Sequence, residues 1–113
     1  MKRLDSTLAA LADPTRRRAV DLMRKRPRRP GEMAAILGVS PAVMSRHLRI
    51  LRRQGLVSEE RDADPGDSRR RMYCLRREPF SDLHSWLLRV EGFWTAQLEA
   101  FQQHAERAGK ERL

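Results

Sequence analysis

Residues 40–51 read SPAVMSRHLRIL. Ser40 suits a helix N-cap, because its hydroxyl accepts a hydrogen bond from an orphan backbone N–H. Pro41 suits the first helical position, where no N–H is needed. At about 100° per residue, Val43, Met44, His47, Leu48, Ile50 and Leu51 share one face, and Ala42, Ser45, Arg46, Arg49 and Arg53 share the other. The first face asks for a core. The second sets small residues, which let a backbone approach a ligand closely, beside guanidinium forks that match phosphates and guanine edges. Surface helices commonly carry a solvated charged side, but ordinary surfaces mix signs, and no acid interrupts this face. A one-signed face points to a polyanion.

Upstream, GEMAAILG (31–38) predicts a short helix with Met33, Ala34, Ile36 and Leu37 turned inward. Gly38 ends it, since glycine tolerates the left-handed conformation of a tight exit. Only Gly38 and Val39 then separate it from Ser40. Two helices joined so closely, with Ala34 at the contact, predict a helix-turn-helix, whose second helix enters a DNA major groove. Before it, DPTRRRAVDLMRKR predicts a helix capped by Asp13, started by Pro14 and running to about Arg26, with Ala19, Val20 and Met23 apolar. PRRP (27–30) breaks the chain. The opening LDSTLAALA places Leu4, Leu8 and Leu11 on one side of a first helix.

Downstream, Gly55 stops the arginine-bearing helix, and a hairpin is expected: Leu56–Arg61 as one strand, DADPGDS as the turn, Arg69–Leu75 as the other. A hairpin placed there is a wing. A long helix follows from Pro79 to about Glu106, and residues 107–113 are expected to be a disordered tail on a single unit, 1–106. Phe80, Leu83, Leu87, Val90, Trp94 and Phe101 form a heptad-like seam interrupted by Gln97 and widened by Trp86, Phe93 and Leu98. The stripe either serves the chain's own core or meets a partner. A small winged domain cannot hide so broad a stripe, so a two-fold homodimer through Leu4, Leu8, Leu11, Leu83, Leu87, Val90, Trp94 and Phe101 is expected.

The 113 residues allow one small domain. The formal net charge is +9, and of the 24 basic residues only Lys2, Lys25 and Lys110 are lysine. Either planar recognition of phosphate and bases or a GC-rich genome raises arginine to that share. Charge of this sign and size favours nucleic acid and a strong salt dependence. Cys74 is the single cysteine, so no intrachain disulfide can form. No secretory apolar core opens the chain and no run is long enough to span a bilayer. A reducing cytoplasm, on the nucleoid, is the expected location, with no membrane partner.

Taken together, ALADPTRRRAVDLM, then GEMAAILGVSPAVMSRHLRILRRQGLV, then a hairpin ending in YCL, resembles the ArsR/SmtB winged-helix transcriptional regulators over about residues 6–101. LADPTRR combined with S-x-x-x-x-SRHLRIL-x-x-x-GLV is the specific part. The resemblance implies a mainly α fold in the order α1-α2-α3-α4-β-β-α5, dimerisation through the first and last helices, and repression at an operator palindrome in double-stranded DNA. Carried over position by position, the DNA-reading residues are Ser40, Pro41, Ala42, Ser45 and Arg46, with Arg49 one turn on. The tail WLLRVEGFW resembles the subgroup without metal ligands.

Metal-sensing members of the family carry a Cys-Val-Cys-like motif on the third helix, and here that helix has no cysteine. Another family site pairs Asp-x-His with a later His-x-x-Glu. Asp82 and His84 match the first half, but Thr95 falls where the second histidine should, and His104 lies too far along. Zinc needs about four converging ligands, so no metal and no cofactor are expected, and Asp82 reads as a first-turn acid favouring the helix dipole. The wing tip carries Asp62, Asp64 and Asp67, which repel phosphate, so Arg69, Arg70 and Arg71 at its base are the expected contacts. Arg16, Arg17 and Arg18 either reach phosphates or pair with local acids. His47 reads as a partly buried, hydrogen-bonded residue and Cys74 as a small packed one. Three scattered histidines and the lack of a phosphate loop or a nucleophile beside a base argue against an enzyme. Two other functions stay open: a metal-responsive repressor, and a winged protein-interaction module, for which Glu59 and Glu60 beside the wing give slight support. A small-molecule or protein effector is compatible with the sequence.

Overall fold

The computed structural model describes residues 2–61 and 71–111. Its elements are α1 (Lys2–Ala10), α2 (Pro14–Lys25), α3 (Pro30–Leu37), α4 (Pro41–Arg53), β1 (Val57–Arg61), β2 (Arg71–Leu75) and α5 (Arg77–Glu111). The order and the mainly helical class match the expectation. Residues 1–81 form one compact unit and residues 82–113 a second.

The caps explain most boundaries in the first unit. Asp13 accepts a hydrogen bond from the Arg16 backbone N–H (3.1 Å) and starts α2. Ser40 accepts from the Val43 N–H (3.2 Å) and starts α4. Such caps stabilise a helix by about 1 kcal/mol each. Gly38 closes α3 at φ 68°, donating its N–H to the Ala34 carbonyl, while the Val39 N–H reaches the same oxygen (3.1 Å). That left-handed exit turns the chain within two residues into α4.

The core is built from Ala10, Ala19, Met23, Met33, Ala34, Leu37, Met44, Leu48, Leu51, Leu56 and Val57. Met44 and Leu51 are fully buried and Leu48 nearly so, each worth about 1.5–3 kcal/mol. They anchor α4 by its apolar side against α3 and β1. Val43, His47 and Ile50 flank that face half-buried, so the face read from the sequence is the one that packs.

Two inward faces differ from expectation. Ile36 is 52% exposed. The buried trio Met33, Ala34 and Leu37 defines the inward side of α3, and Ile36 sits about 100° round from its centre. On α1 the buried residues are Leu4, Thr7 and Ala10, with Leu11 packed on the core, while Leu8 is 40% exposed. Thr7 is tolerated there because its hydroxyl donates to the Arg3 carbonyl (2.9 Å). Leu4 and Leu11 are thus used within the chain, and Leu8 is the one of the expected trio that presents much surface.

β1 and β2 pair antiparallel, Val57 opposite Leu75 through Arg61 opposite Arg71. The segment expected only to break the chain adds a third edge: Arg28 and Tyr73 exchange both backbone hydrogen bonds, at 3.0 and 2.8 Å. β2 is described from Arg71 onward. Arg69 and Arg70, with the acids of the expected tip, lie outside the described residues.

The second unit is the larger part of α5. The helix runs to Glu111, beyond the expected end near Glu106. Its last turns are rich in Ala, Glu, Gln and Arg, strong helix formers that one Gly109 does not outweigh. Leu87, Leu88, Phe93, Trp94, Leu98 and Phe101 are exposed along it, Trp94 at 61% and Phe101 at 72%. Phe93 and Trp94 meet edge to face at 5.8 Å.

Candidate nucleic-acid interface

With Met44, Leu48 and Leu51 pointing inward, the opposite side of α4 is set by geometry. Ser40, Pro41, Ala42, Ser45, Arg46, Arg49, Arg52 and Arg53 are all exposed. Among the described residues Arg46, Arg49 and Arg53 have no ion-pair or hydrogen-bond partner. Each carries its guanidinium, unengaged by any described residue, on a helix without a single acid. The capping Ser40, with Pro41 and Ala42, leaves little side-chain bulk at the helix start, so a rigid polyanion can come close to the backbone there.

Beside this face lies a groove of about 470 Å³, lined by Pro30, Ser45, Leu48, Arg49, Arg52, Arg71 and Tyr73. Ser45, Arg49 and Arg52 form one wall at i, i+4 and i+7 of α4. Arg71 and Tyr73, on the same face of β2, form the other. The structure thus brings together Ser45, Arg49 and Arg71 of the expected site.

Sequence reasoning missed three members of this region. Arg52 lies one turn beyond Arg49, a spacing that could have found it. Tyr73 and Pro30 are brought in by the Arg28–Tyr73 bridge, which has no local signal. A carboxylate joins the two walls: Glu59 accepts from Arg52 Nη1 through Oε2 (2.6 Å) and forms an ion pair with Arg71, whose Nε lies 3.0 Å from Oε1. The Glu59 side chain is only 9% exposed, while the arginines are about half exposed. Strand alternation puts Glu59 on the same face as buried Val57, and an inward carboxylate requires a cation.

Glu59 therefore lends no support to a partner-binding acidic patch, because its carboxylate is engaged within the chain. Glu60 faces Cys74, whose Sγ lies 3.4 Å from Oε1 and 3.2 Å from Ser58 Oγ. Cys74 is half-buried with polar neighbours rather than packed in an apolar cluster.

Other cations are occupied in holding the scaffold. Arg16 Nε donates to the Ala10 carbonyl (2.7 Å) and Nη1 lies 3.5 Å from His47 Nδ1. Arg17 Nη1 donates to the Leu11 carbonyl (2.7 Å). Of the two roles left open by the sequence, phosphate contact or pairing with local acids, neither residue shows the second among the described residues; both satisfy carbonyls left over at the end of α1. Arg28 donates to the Leu22 carbonyl (3.0 Å) and to Glu32 Oε1 (2.7 Å), and Arg26 reaches the same oxygen. The Arg28 hydrogen bond, then that of Arg26, holds the Glu32 carboxyl below its usual range. The Arg16 backbone N–H does the same for Asp13.

On α5, His84 and His104 are exposed. Among the described residues no three His, Cys, Asp or Glu side chains come together, and no helix is long and apolar enough to cross a membrane.

The family model for bacterial regulatory proteins of the arsR family matches residues 13–59, from the cap of α2 into β1. The chain is 34% identical over 105 residues to an HTH-type transcriptional regulator of Mycobacterium tuberculosis, Rv2034, covering 93% of this chain and 91% of that protein. An ArsR-like transcriptional regulator from Rhodococcus sp. RHA1 superposes with a TM-score of 0.73 at 27% identity, over 93% of this chain and 92% of the other. A homodimeric winged helix-turn-helix DNA-binding domain from Mycobacterium bovis superposes with a TM-score of 0.62 over 80% of each chain, and at 23% identity this likeness speaks to the fold. The capped helix pair, the hairpin behind it and a relative matched over nearly its whole length agree: this chain belongs to the arsR family of bacterial regulatory proteins, transcriptional regulators built on a winged helix-turn-helix DNA-binding fold.

Proposed function

We propose that the protein is a sequence-specific repressor that binds an operator palindrome as a homodimer, each subunit laying α4 in a major groove. The observation that carries this reading is the outward side of α4: a capped start, no acid, and three arginines without intrachain partners among the described residues. Ser40, Pro41, Ala42, Ser45, Arg46 and Arg49 then meet the duplex, some on phosphates and some on base edges, since phosphate contacts position and base contacts specify. Arg71, with Arg69 and Arg70 before it, contacts the backbone from the base of the wing.

A palindrome needs two reading heads about one helical turn apart. The exposed stripe of α5 supplies the surface for a second copy through Leu87, Val90, Trp94 and Phe101, together with Leu83, and Leu8 of α1 offers a further exposed apolar residue. The homodimeric state of the Mycobacterium bovis domain supports the same arrangement. Function on the nucleoid follows, with residues 1–106 as the working unit and an effector, if used, acting through the terminal helices.

The test is fluorescence anisotropy against the region upstream of the protein's own reading frame and against random duplex, with sedimentation of the free protein. Specific binding tighter than about 10⁻⁸ M, at least about a thousandfold above random duplex, is expected. Equal binding to both duplexes, or a monomer at assay concentration, defeats the reading.

A further inference from the structure

Glu59 is an acid placed where a DNA-binding surface should repel none. It lies behind the groove walled by Ser45, Arg49 and Arg52 on one side and by Arg71 and Tyr73 on the other. Each of its carboxylate oxygens takes a different arginine, Arg52 from α4 at 2.6 Å and Arg71 from β2 at 3.0 Å. The carboxylate is nearly buried, whereas both guanidiniums keep about half their surface. A guanidinium has five N–H donors in a fixed fork. Arg52 gives Glu59 one donor and Arg71 pairs with it through the Nε edge, and both side chains line the groove.

We infer that Glu59 is a positioning residue for DNA recognition: it ties the wing root to α4 and aims Arg52 and Arg71 as one phosphate clamp. This rests on the reading of α4 as the DNA-contacting helix. Simple charge counting predicts the reverse. Removing an acid from a cationic face should strengthen binding to any duplex. Positioning predicts weaker binding to the selected site, because an uncoupled arginine must be ordered anew when the phosphate arrives. Glutamine at this position keeps one acceptor oxygen for one arginine, but its amide NH₂ faces the other and releases it.

The experiment uses the full-length protein and two probes. One is a duplex enriched by the wild type from a pool with a randomised core of about 30 bp, long enough for two half-sites. The other is the unselected pool. Anisotropy is measured on both across a salt series for wild type, Glu59→Gln and Glu59→Asp. Positioning predicts that Glu59→Gln lowers the ratio of selected to unselected affinity by roughly tenfold. The salt slope on the selected duplex becomes shallower by about one, because one phosphate fewer is neutralised. Glu59→Asp keeps the charge but withdraws the carboxylate by one methylene, so it lowers the ratio too, and it decides the matter alone if Glu59→Gln does not fold.

Tighter binding of Glu59→Gln to both probes with an unaltered slope, or a Glu59→Asp indistinguishable from wild type, overturns the inference. A wild type that enriches no sequence overturns the functional reading instead, so the two failures are told apart.

Discussion

Replacing Arg46 by alanine removes a side chain from the exposed side of α4 that has no intrachain partner among the described residues. Folding should not suffer. No hydrogen bond to a described residue is removed, the side chain is exposed, and alanine is a slightly better helix former than arginine. The melting midpoint should stay within about 2 °C of wild type, and the dimer should persist, because Arg46 is on α4 and the apolar stripe is on α5.

The effect on binding depends on what Arg46 touches. A bidentate base contact discriminates by about 1–3 kcal/mol, which is a factor of roughly 5 to 150 in Kd. Such a loss would fall on the selected duplex and leave random duplex nearly unaffected. A phosphate contact would instead weaken both and flatten the salt slope by about one. Anisotropy on both duplexes at several salt concentrations separates the cases, and sedimentation confirms the dimer. Operator affinity within about twofold of wild type, with fold and dimer intact, would refute the assignment of α4 as the reading helix.

At Gly38, φ is 68°, so Gly38→Ala should cost about 1–2 kcal/mol in denaturant unfolding; no loss would mean the turn is not held left-handed. Trp94→Glu places a charge on a residue already 61% exposed in the single chain, so it should dissociate the dimer by tenfold or more while sparing helicity, as measured by sedimentation and circular dichroism. Glu32 has its carboxyl held down by Arg28 first and Arg26 second. A depressed folded-state value stabilises above the ordinary 4.5 and is lost as pH falls through the folded value. Glu32→Gln should therefore lower the melting midpoint near pH 7 and hardly change it near about pH 3; an equal drop at both would show that packing, not charge, is at stake.

Helix order and the α4 face were legible because their signals are local. Ser40, Pro41 and Gly38 act through hydrogen bonds and φ values spanning a few residues, and the apolar period of Val43–Leu51 needs only one helix. Ile36 departs from the expected burial, and Leu4 and Leu11 from the expected partner surface, because each lies at the shoulder of an apolar stripe, where the neighbour's shape decides which residue is covered. The Arg28–Tyr73 bridge joins residues far apart in sequence, as does the Arg52–Glu59–Arg71 link, and no periodicity reports such pairings. At the wing base the limit is of another kind: Arg71 is at the groove, but it also serves Glu59, a second role that composition does not disclose.

The net charge of +9 does not say which arginines can turn toward a duplex. Arg16 and Arg17 are oriented onto the Ala10 and Leu11 carbonyls, Arg26 and Arg28 onto Glu32, and Arg52 and Arg71 share Glu59. Charges farther than about 8 Å from a docked phosphate are screened at physiological salt, so distant arginines add little beyond long-range attraction. What sets Arg46, Arg49 and Arg53 apart is not their charge, which every arginine has, but a fork unengaged by any described residue, on a helix whose other side is fixed in the core. A free fork on a rigid support loses little entropy when it meets a flat acceptor. The arginine richness read from the sequence thus divides into side chains that hold the scaffold still and side chains unengaged by any described residue, with Arg52 and Arg71 belonging to both the scaffold and the groove, and the first group makes the second effective.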